Sequence, residues 1–170
     1  MSTITLVPFG PEHLEALAPM LEDPDVRRHT FVPDPPQAGF ARRWLDRYEE
    51  GRRDGTREGF AVLDAAGTLL GLALAPRIER EARTVELGYL VAPEARGRGI
   101  ATEALGLLTD WAFRELGAER IELKIAAENP VSQRVAERCG YLREGVLRST
   151  YFKNGERQDT EIWSRLPSDP

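Results

Sequence analysis

The chain has 170 residues, a formal net charge of −5 and one cysteine, and this length suits a single domain over residues 1–170 that folds without disulfides. One cysteine favours a reducing, cytoplasmic location, and the first residues lack the features of a secretion signal. No apolar run is long enough to cross a membrane, and the acidic charge argues against nonspecific nucleic-acid binding while it suits cationic partners.

Apolar periodicity predicts the elements of the first half of the chain. Alternating or short apolar runs indicate strands, and apolar residues three and four positions apart indicate helices. The predicted elements are a strand (3–7), a helix (11–21), a turn-rich loop with three prolines (28–39), a helix (40–53) and a β-hairpin (60–63 and 69–75, about a turn at 64–67).

The second half continues with the same mixture of elements. A strand at 85–91 precedes a long amphipathic helix that begins at Ile100 and ends at Gly117. The remaining elements are a strand (121–125), a short helix (from 129 to near 140) and a hairpin (141–152 and 158–166). Asn154 and Gly155 form the dipeptide best suited to a type I′ turn in that hairpin. The chain therefore mixes helices and strands, and we predict an α/β fold class, more specifically the α+β type.

A glycine-rich turn at residues 96–101 joins the strand at 85–91 to the long helix. Glycines let backbone N–H groups approach a ligand, and the first turn of a helix offers unpaired N–H donors at its positive end. We therefore predict a phosphate cradle, with a tight turn carrying two solvated arginines as the alternative. The dinucleotide fingerprint and the P-loop pattern are both absent.

The spacing of arginine, two residues, glycine, one residue and alanine in this turn resembles the pyrophosphate-binding motif of the GCN5-related N-acetyltransferases, or GNAT enzymes. The resemblance is nearest to the RimJ/RimL-like branch and covers about residues 86–163, with a looser likeness at 4–26. Further matching segments, in order, are Glu86-Leu87-Gly88-Tyr89, Asn129-Pro130-Val131-Ser132, Cys139-Gly140-Tyr141, and Asn154-Gly155 followed by Asp159.

The resemblance implies a mixed, mostly antiparallel central sheet flanked by about four helices. It implies an N-acetyltransferase that moves an acetyl group from the cosubstrate acetyl-CoA to a primary amine by direct attack. The acceptor would be a protein N-terminus or a small-molecule amine, and a homodimer is compatible with the family. Loops at 28–39 and 77–83 would set acceptor specificity.

The resemblance also implies a set of cofactor-binding residues, with the cofactor between the strands near Val91 and Lys124. Asn129 alternatively caps the short helix, because asparagine followed by proline is a common helix start. Gly88 favours a bulge or a close approach in its strand. The implied contacts are the Tyr89 amide with the thioester carbonyl, Leu90 and Val91 with the pantetheine, Arg96, Gly97, Arg98, Gly99, Ile100, Ala101 and Thr102 with the pyrophosphate, and Asn129 and Ser132.

Glu86 is the candidate catalytic base. It lies in an otherwise apolar strand, so a partly buried carboxylate with a raised pKa could accept the proton of the amine. The alternative is a purely structural ion pair with Arg83 or with an arginine distant in sequence.

The proton donor for the departing thiolate is less evident. The commoner GNAT pattern has a tyrosine seven residues after the asparagine, and this chain has Ala136 there. The branch resemblance makes Ser132 the first candidate and Tyr151, near the final hairpin, the second. The missing tyrosine keeps open a non-catalytic acyl-CoA-binding sensor or interaction domain as the alternative function.

For the cysteine, the histidines and Asp159, we predict structural roles ahead of functional ones. Cys139 is predicted to be a small buried residue rather than a nucleophile. His13 and His29 stand apart from any metal-ligand spacing, so we predict no metal site and expect surface or helix-start histidines. A substrate contact by His29 is the alternative. Asp159 either holds the final hairpin or meets a cationic substrate.

Overall fold

The computed structural model describes residues 3–170, apart from the side chain of Phe152. The strands are β1 (Ile4–Pro8), β2 (Glu58–Asp64), β3 (Leu69–Glu79), β4 (Thr84–Val91), β5 (Arg120–Ala126), β6 (Leu142–Lys153) and β7 (Glu156–Arg165). The α-helices are α1 (Leu14–Leu21), α2 (Pro24–His29), α3 (Phe40–Asp54), α4 (Ile100–Leu116) and α5 (Pro130–Arg138). Short 3₁₀ turns occupy Pro11–His13 and Pro93–Ala95.

The strands form one sheet in the order β1-β2-β3-β4-β5-β7-β6. Every neighbouring pair is antiparallel except β4 and β5, which are parallel. The predicted mixed, mostly antiparallel sheet is therefore confirmed, with five α-helices in the described part of the chain instead of about four. None of the helices within residues 3–170 has the length and apolar character needed to cross a membrane.

Two predicted loops contain regular structure. Helix α2 was missed between the predicted helix at 11–21 and the start of the loop at 28–39, although Asp23 caps it by accepting a hydrogen bond from the Val26 N–H and Pro24 opens it. Strand β3 continues to Glu79, so only the turn at 80–83 separates it from β4. The predicted helix at 11–21 is also divided, because its first turn is 3₁₀.

The core lies between the sheet and the helices, as the apolar periodicity requires. Helix α4 packs on β4, while α1 and α3 contact β3 and β2. The predicted amphipathic helix is confirmed as α4: its apolar stripe includes Ile100, Ala104 and Leu108, which are buried, and Gly117 ends the helix with φ +61°. A fully buried leucine of this kind contributes roughly 1.5–3 kcal/mol to stability.

Strands β4 and β5 separate partway along their length. Their parallel pairing begins at Thr84 opposite Arg120 and ends at Leu87 opposite Leu123. Beyond that point β4 stays paired with β3 as far as Val91, and β5 stays paired with β7 as far as Ala126. The sheet thus opens a gap between two strands that are each supported on their other side.

A bulge in β3 coincides with the start of this gap. Leu74 pairs with Gly88 and Arg77 with Glu86, so β3 has one residue more than β4 across this interval. The extra residue falls at Ala75 and Pro76, and proline cannot donate a ladder hydrogen bond. The bulge expected at Gly88 therefore lies on the neighbouring strand. Gly88 itself faces open space, because a Cβ there would meet no atom within 4 Å.

The C-terminal hairpin has the predicted type I′ turn, with φ +53° at Asn154 and +80° at Gly155. A second irregularity in β6 places Ser149 at φ +54°, opposite a shift in the register with β7. The Ser149 N–H donates to Asp159 Oδ1 at 2.8 Å. Asp159 therefore holds the hairpin, which is the structural interpretation of this residue.

Arg120 joins the three C-terminal strands. Its guanidinium donates to both carboxylate oxygens of Glu144, at 2.8 and 2.7 Å, and the Ser164 hydroxyl donates to the same carboxylate at 2.6 Å. These hydrogen bonds lower the pKa of Glu144 to about 2, from an ordinary value of 4.5. A carboxylate whose two oxygens both accept from one guanidinium forms an ion pair of specific geometry.

Replacing Glu144 with glutamine should lower thermal stability in a pH-dependent way. The pKa of Glu144 is lower in the folded state, so the ion pair stabilises fully above about pH 4.5 and is lost as pH falls toward 2. Glu144 is 44% exposed, which limits the effect to about 1 kcal/mol, or about 2–4 °C in Tm. Thermal unfolding between pH 3 and 7 should show the wild-type and variant Tm values converging in acid. A pH-independent difference, or an equal loss in Glu156→Gln, would contradict this.

Candidate functional site

The glycine turn after β4 has the backbone geometry of an anion site. Gly97 and Gly99 adopt left-handed conformations, with φ +72° and +80°, and a Cβ at either would meet no atom within 4 Å. Gly99 precedes α4 without a side-chain cap, so the first N–H groups of the helix have no intrahelical acceptor. Such N–H groups at the positive end of a 17-residue helix suit a phosphate.

The two arginines of the turn differ in their contacts. Arg96 donates to Asp23 Oδ1 at 2.6 Å and to Asp25 Oδ2 at 3.3 Å, which ties the turn to the start of α2. Burial alone would raise the pKa of Asp23, but hydrogen bonds from Arg96 and the Val26 N–H outweigh it and lower that pKa. Arg98 is exposed. Arg96 is exposed as well, but it is held in ion pairs with Asp23 and Asp25, so Arg98 is the arginine of the turn that these carboxylates leave available.

The main chain of β4 presents alternate residues to the gap. The Ala92 N–H donates to the Leu70 carbonyl on the β3 side at 2.8 Å. Because the direction alternates along an antiparallel strand, the main-chain groups of Tyr89 and Val91 point away from β3, into the gap. Those of Leu90 point toward β3, and its side chain is buried, so Leu90 is removed from the predicted set of contacts.

Glu86 lies at the start of the gap in an ion pair. Its Oε2 atom is 2.7 Å from Lys124 Nζ, and the side chain of Glu86 is 16% exposed against 38% for Lys124. The ion pair of the alternative interpretation is therefore present, but its partner is Lys124 and not an arginine, since Arg83 pairs with Glu119. Glu86 precedes the last residue pair of β4 and β5, and Lys124 follows it, so this ion pair closes the narrow end of the gap.

Asn129, Ser132 and Tyr89 form a hydrogen-bonded cluster across the gap. Asn129 Oδ1 accepts from the Ser132 N–H at 3.2 Å, which confirms the helix cap, and its Nδ2 donates to Ser132 Oγ at 3.2 Å. The Tyr89 hydroxyl donates to the same Oγ at 3.1 Å. Burial raises the pKa of Tyr89 to about 12. Sequence reasoning used only the Tyr89 amide, although β-strand alternation could have placed its phenol opposite the Glu86 side of β4.

Tyr151 contacts a different part of the molecule. Its hydroxyl donates to the Thr30 carbonyl at 2.6 Å, and its ring lies edge-on to Phe31 at 5.4 Å. Lys153 Nζ donates to the carbonyls of Thr30 and Val32 at 2.8 and 2.6 Å. The structure therefore does not bring Tyr151 together with Ser132. Tyr151 and Lys153 instead hold the loop that follows α2.

The remaining candidate residues make contacts that stabilise the fold or lie buried within it. His13 is buried, occupies the N-cap position of α1 and accepts from the Gly10 N–H at 3.0 Å, so it is a helix-start histidine but not a surface one. His29 instead ends α2, where burial, followed by the charge of Arg28, lowers its pKa. Cys139 is buried as predicted, with Sγ 3.3 Å from the Thr102 carbonyl. No cluster of metal-ligating side chains occurs within residues 3–170.

Comparison with known proteins gives a consistent set of similarities. The acetyltransferase (GNAT) domain family matches residues 3–142. A spermidine N(1)-acetyltransferase of Vibrio cholerae is 33% identical over 67% of this chain and 66% of its own length. A putative ribosomal N-acetyltransferase, YdaF of Bacillus subtilis, is 32% identical over 84% of this chain and 70% of its own. These alignments span about two thirds of the length of both relatives.

Solved structures share the fold over nearly the whole chain. Spermidine N-acetyltransferase from Vibrio cholerae, in complex with CoA and spermine, superposes with a TM-score of 0.87 at 27% identity, covering 99% of this chain and 98% of that one. RimL, a ribosomal L7/L12 acetyltransferase in complex with CoA, gives a TM-score of 0.90 at 19% identity, covering 98% and 95%. The second similarity concerns the fold alone.

A methyl group at Gly99 should weaken acetyl-CoA binding beyond its effect on folding. Gly99→Ala strains a left-handed residue and places a Cβ beside the N–H groups that are predicted to bind the pyrophosphate. Gly67→Ala is the matched control, because Gly67 has φ +81° and equally open surroundings in the β2–β3 turn. Both variants should lose roughly 1 kcal/mol of stability. Only Gly99→Ala should raise the Kd measured by calorimetry, by roughly tenfold. Equal Kd values would contradict the assignment of the turn.

Proposed function

The chain belongs to the GCN5-related N-acetyltransferase (GNAT) family, and from this we propose that it transfers an acetyl group from acetyl-CoA to a primary amine by direct attack. The observation that carries the proposal is the gap between β4 and β5, which leads to the glycine turn and the start of α4. A gap lined by main-chain groups suits an extended pantetheine arm, and the helix start suits a pyrophosphate.

Acetyl-CoA, when bound, supplies the reactive thioester. We assign its pyrophosphate to the exposed Arg98 and to the N–H groups at the start of α4, those of Ile100, Ala101 and Thr102. The main-chain groups of Tyr89 and Val91 are assigned to the pantetheine, because they point into the gap. These assignments need no rearrangement of the strands, since β4 and β5 are already separated there.

Glu86 is assigned as the base that accepts the proton of the attacking amine, directly or through water. Its position at the start of the gap supports this role, and the Lys124 cation 2.7 Å away shows that an aliphatic amino group fits against the carboxylate. Glu86 lies one residue before the gap opens. Side-chain alternation places it on the face of β4 opposite Tyr89.

Ser132 is assigned as the proton donor to the departing thiolate, in preference to Tyr151. The Tyr151 hydroxyl is already bound to the Thr30 carbonyl, whereas Ser132 lies at the gap in contact with Tyr89. Ala136, at the position of the usual family tyrosine, is buried and has no group that can donate a proton.

The acceptor is a primary amine, either a protein N-terminus or a small molecule such as a polyamine. Both classes appear in the names of related proteins, which include a ribosomal-protein-serine acetyltransferase of Escherichia coli and spermidine acetyltransferases. We assign the acceptor side to the loop after α2, which Tyr151 and Lys153 hold in place.

The proposal also covers the location of the protein and its assembly. A cytoplasmic location is supported by the single cysteine, Cys139, which is a free buried thiol. A homodimer is compatible with the exposed apolar residues of the edge strand β6, Leu142, Val146 and Leu147.

Release of free CoA thiol from acetyl-CoA tests the proposed reaction. Purified protein is supplied with short peptides carrying free N-termini in one set of assays, and with polyamines and aminoglycosides in another. We expect turnover with at least one set, which identifies the substrate class. Saturable acetyl-CoA binding without thiol release from any amine would instead favour the non-catalytic sensor.

The same assay on two matched variants tests the base. Glu86→Gln should lower kcat by roughly 10²–10⁴-fold while the Kd for acetyl-CoA stays unchanged. Glu122→Gln is the control, because Glu122 pairs with Glu86 in the β4–β5 register and also holds a cationic partner, Arg120. Equal kcat values for the two variants would overturn the role of Glu86.

A further inference from the structure

The Ser132 hydroxyl has an unusual set of partners. Its Oγ atom accepts a hydrogen bond from the Tyr89 hydroxyl at 3.1 Å and another from Asn129 Nδ2 at 3.2 Å. The orientation of the Asn129 amide is determined by its other contact, because Oδ1 accepts from the Ser132 N–H. The Nδ2 atom must therefore face the Ser132 hydroxyl.

A serine hydroxyl has two acceptor lone pairs and one hydrogen. Because both lone pairs of the Ser132 hydroxyl accept hydrogen bonds, only its hydrogen is left to form another. Within residues 3–170 the structure gives this hydrogen no acceptor. The cluster thus makes Ser132 a donor toward a group outside the protein.

The position of the cluster indicates which group that is. Tyr89 lies two residues beyond the last β4–β5 pair, and Ser132 lies in the first turn of α5, which follows β5. The Tyr89–Ser132 hydrogen bond therefore spans the gap that is assigned to the pantetheine arm. A donor directed outward at that point meets the sulfur end of the arm.

We propose that Tyr89 is a positioning residue that, together with Asn129, directs the Ser132 hydroxyl hydrogen toward the sulfur of the departing coenzyme A. This inference rests on the proposed acetyltransferase function and deepens it. As the amine nitrogen bonds to the acetyl carbon, the bond between that carbon and sulfur breaks, and the sulfur takes the electron pair and accepts the hydrogen bond of Ser132. The sulfur then receives the proton of this hydroxyl as solvent supplies another to the serine oxygen in the same step.

Tyr89 acts through Ser132 and does not itself supply the proton. Burial raises the pKa of its phenol to about 12, so the hydroxyl stays protonated and remains a donor over the working pH range. A phenylalanine at this position would keep the packing but free one lone pair of Ser132. The serine hydrogen could then rotate away from the gap.

The matched control is present elsewhere in the same chain. Tyr141 is a buried tyrosine and Tyr89 a partly buried one, and the Tyr141 hydroxyl likewise shares a hydrogen bond, of 2.6 Å, with another side-chain hydroxyl, that of Thr109. Tyr141→Phe therefore removes a comparable hydroxyl without touching the gap. Any effect of Tyr89→Phe that Tyr141→Phe reproduces is a general consequence of losing a buried hydroxyl.

The test uses coenzyme A itself, with its free thiol, bound to each variant and titrated while thiolate absorbance is followed in the ultraviolet. A directed donor stabilises the bound thiolate, so the thiol pKa should rise by about half a unit to one unit in Tyr89→Phe and Ser132→Ala. Tyr141→Phe should match the wild type. If the thiol pKa is raised in Ser132→Ala but equals the wild-type value in Tyr89→Phe, the positioning role of Tyr89 is overturned while the role of Ser132 stands.

This measurement does not depend on knowing the amine acceptor. If no amine is acetylated but the thiol pKa changes as stated, the positioning role holds and the proposed reaction fails. A thiol pKa unchanged in Ser132→Ala would overturn both the positioning role and the assignment of the acid.

Once an acceptor is known, a double-mutant cycle gives a second readout. Tyr89→Phe should lower kcat roughly three- to tenfold in the wild-type background, with the KM for the amine unchanged. It should have no further effect on kcat in the Ser132→Ala background. An equal loss in both backgrounds would indicate a merely structural role and overturn the proposal.

Discussion

Strands β4 and β5 share parallel hydrogen bonds over only four residue pairs, and the site depends on the gap beyond them. Each strand stays paired on its other side, β4 with β3 and β5 with β7, so the gap opens without leaving either strand unsupported. The bulge at Ala75 and Pro76 lies opposite Leu87, the residue at which the pairing of β4 with β5 ends. An open strand edge inside a supported sheet is a template for an extended ligand, because its N–H and C=O groups are already aligned.

The gap also organises the side chains around it. Strand alternation places Glu86 and Tyr89 on opposite faces of β4, so the assigned base and the Ser132 donor lie on two sides of one slot. Arg96 connects the glycine turn to α2 through Asp23, and the loop after α2 is held by the C-terminal hairpin. The proposed cofactor and acceptor sides are therefore linked by direct contacts.

Local features of the site could be predicted from the sequence, whereas its long-range partners could not. The glycine turn, the α4 stripe and the Asn154-Gly155 turn depend on neighbouring residues, and the structure has all three. Helix α2 was missed because the prolines that follow it indicated a loop. The Tyr89–Ser132 contact joins residues 43 apart, and Tyr151 meets a carbonyl 121 residues away. Such contacts are created by sheet order and register, which no local pattern encodes.

Backbone amide hydrogen exchange with and without acetyl-CoA tests the central claim, that the gap between β4 and β5 is the cofactor site. The amides of Tyr89 and Val91 should become protected when acetyl-CoA binds, along with those at the start of α4. Leu90 should change little, because its main-chain groups already face β3, and β2 serves as an internal reference. Saturable binding that leaves the exchange of Tyr89 and Val91 unchanged would contradict the account.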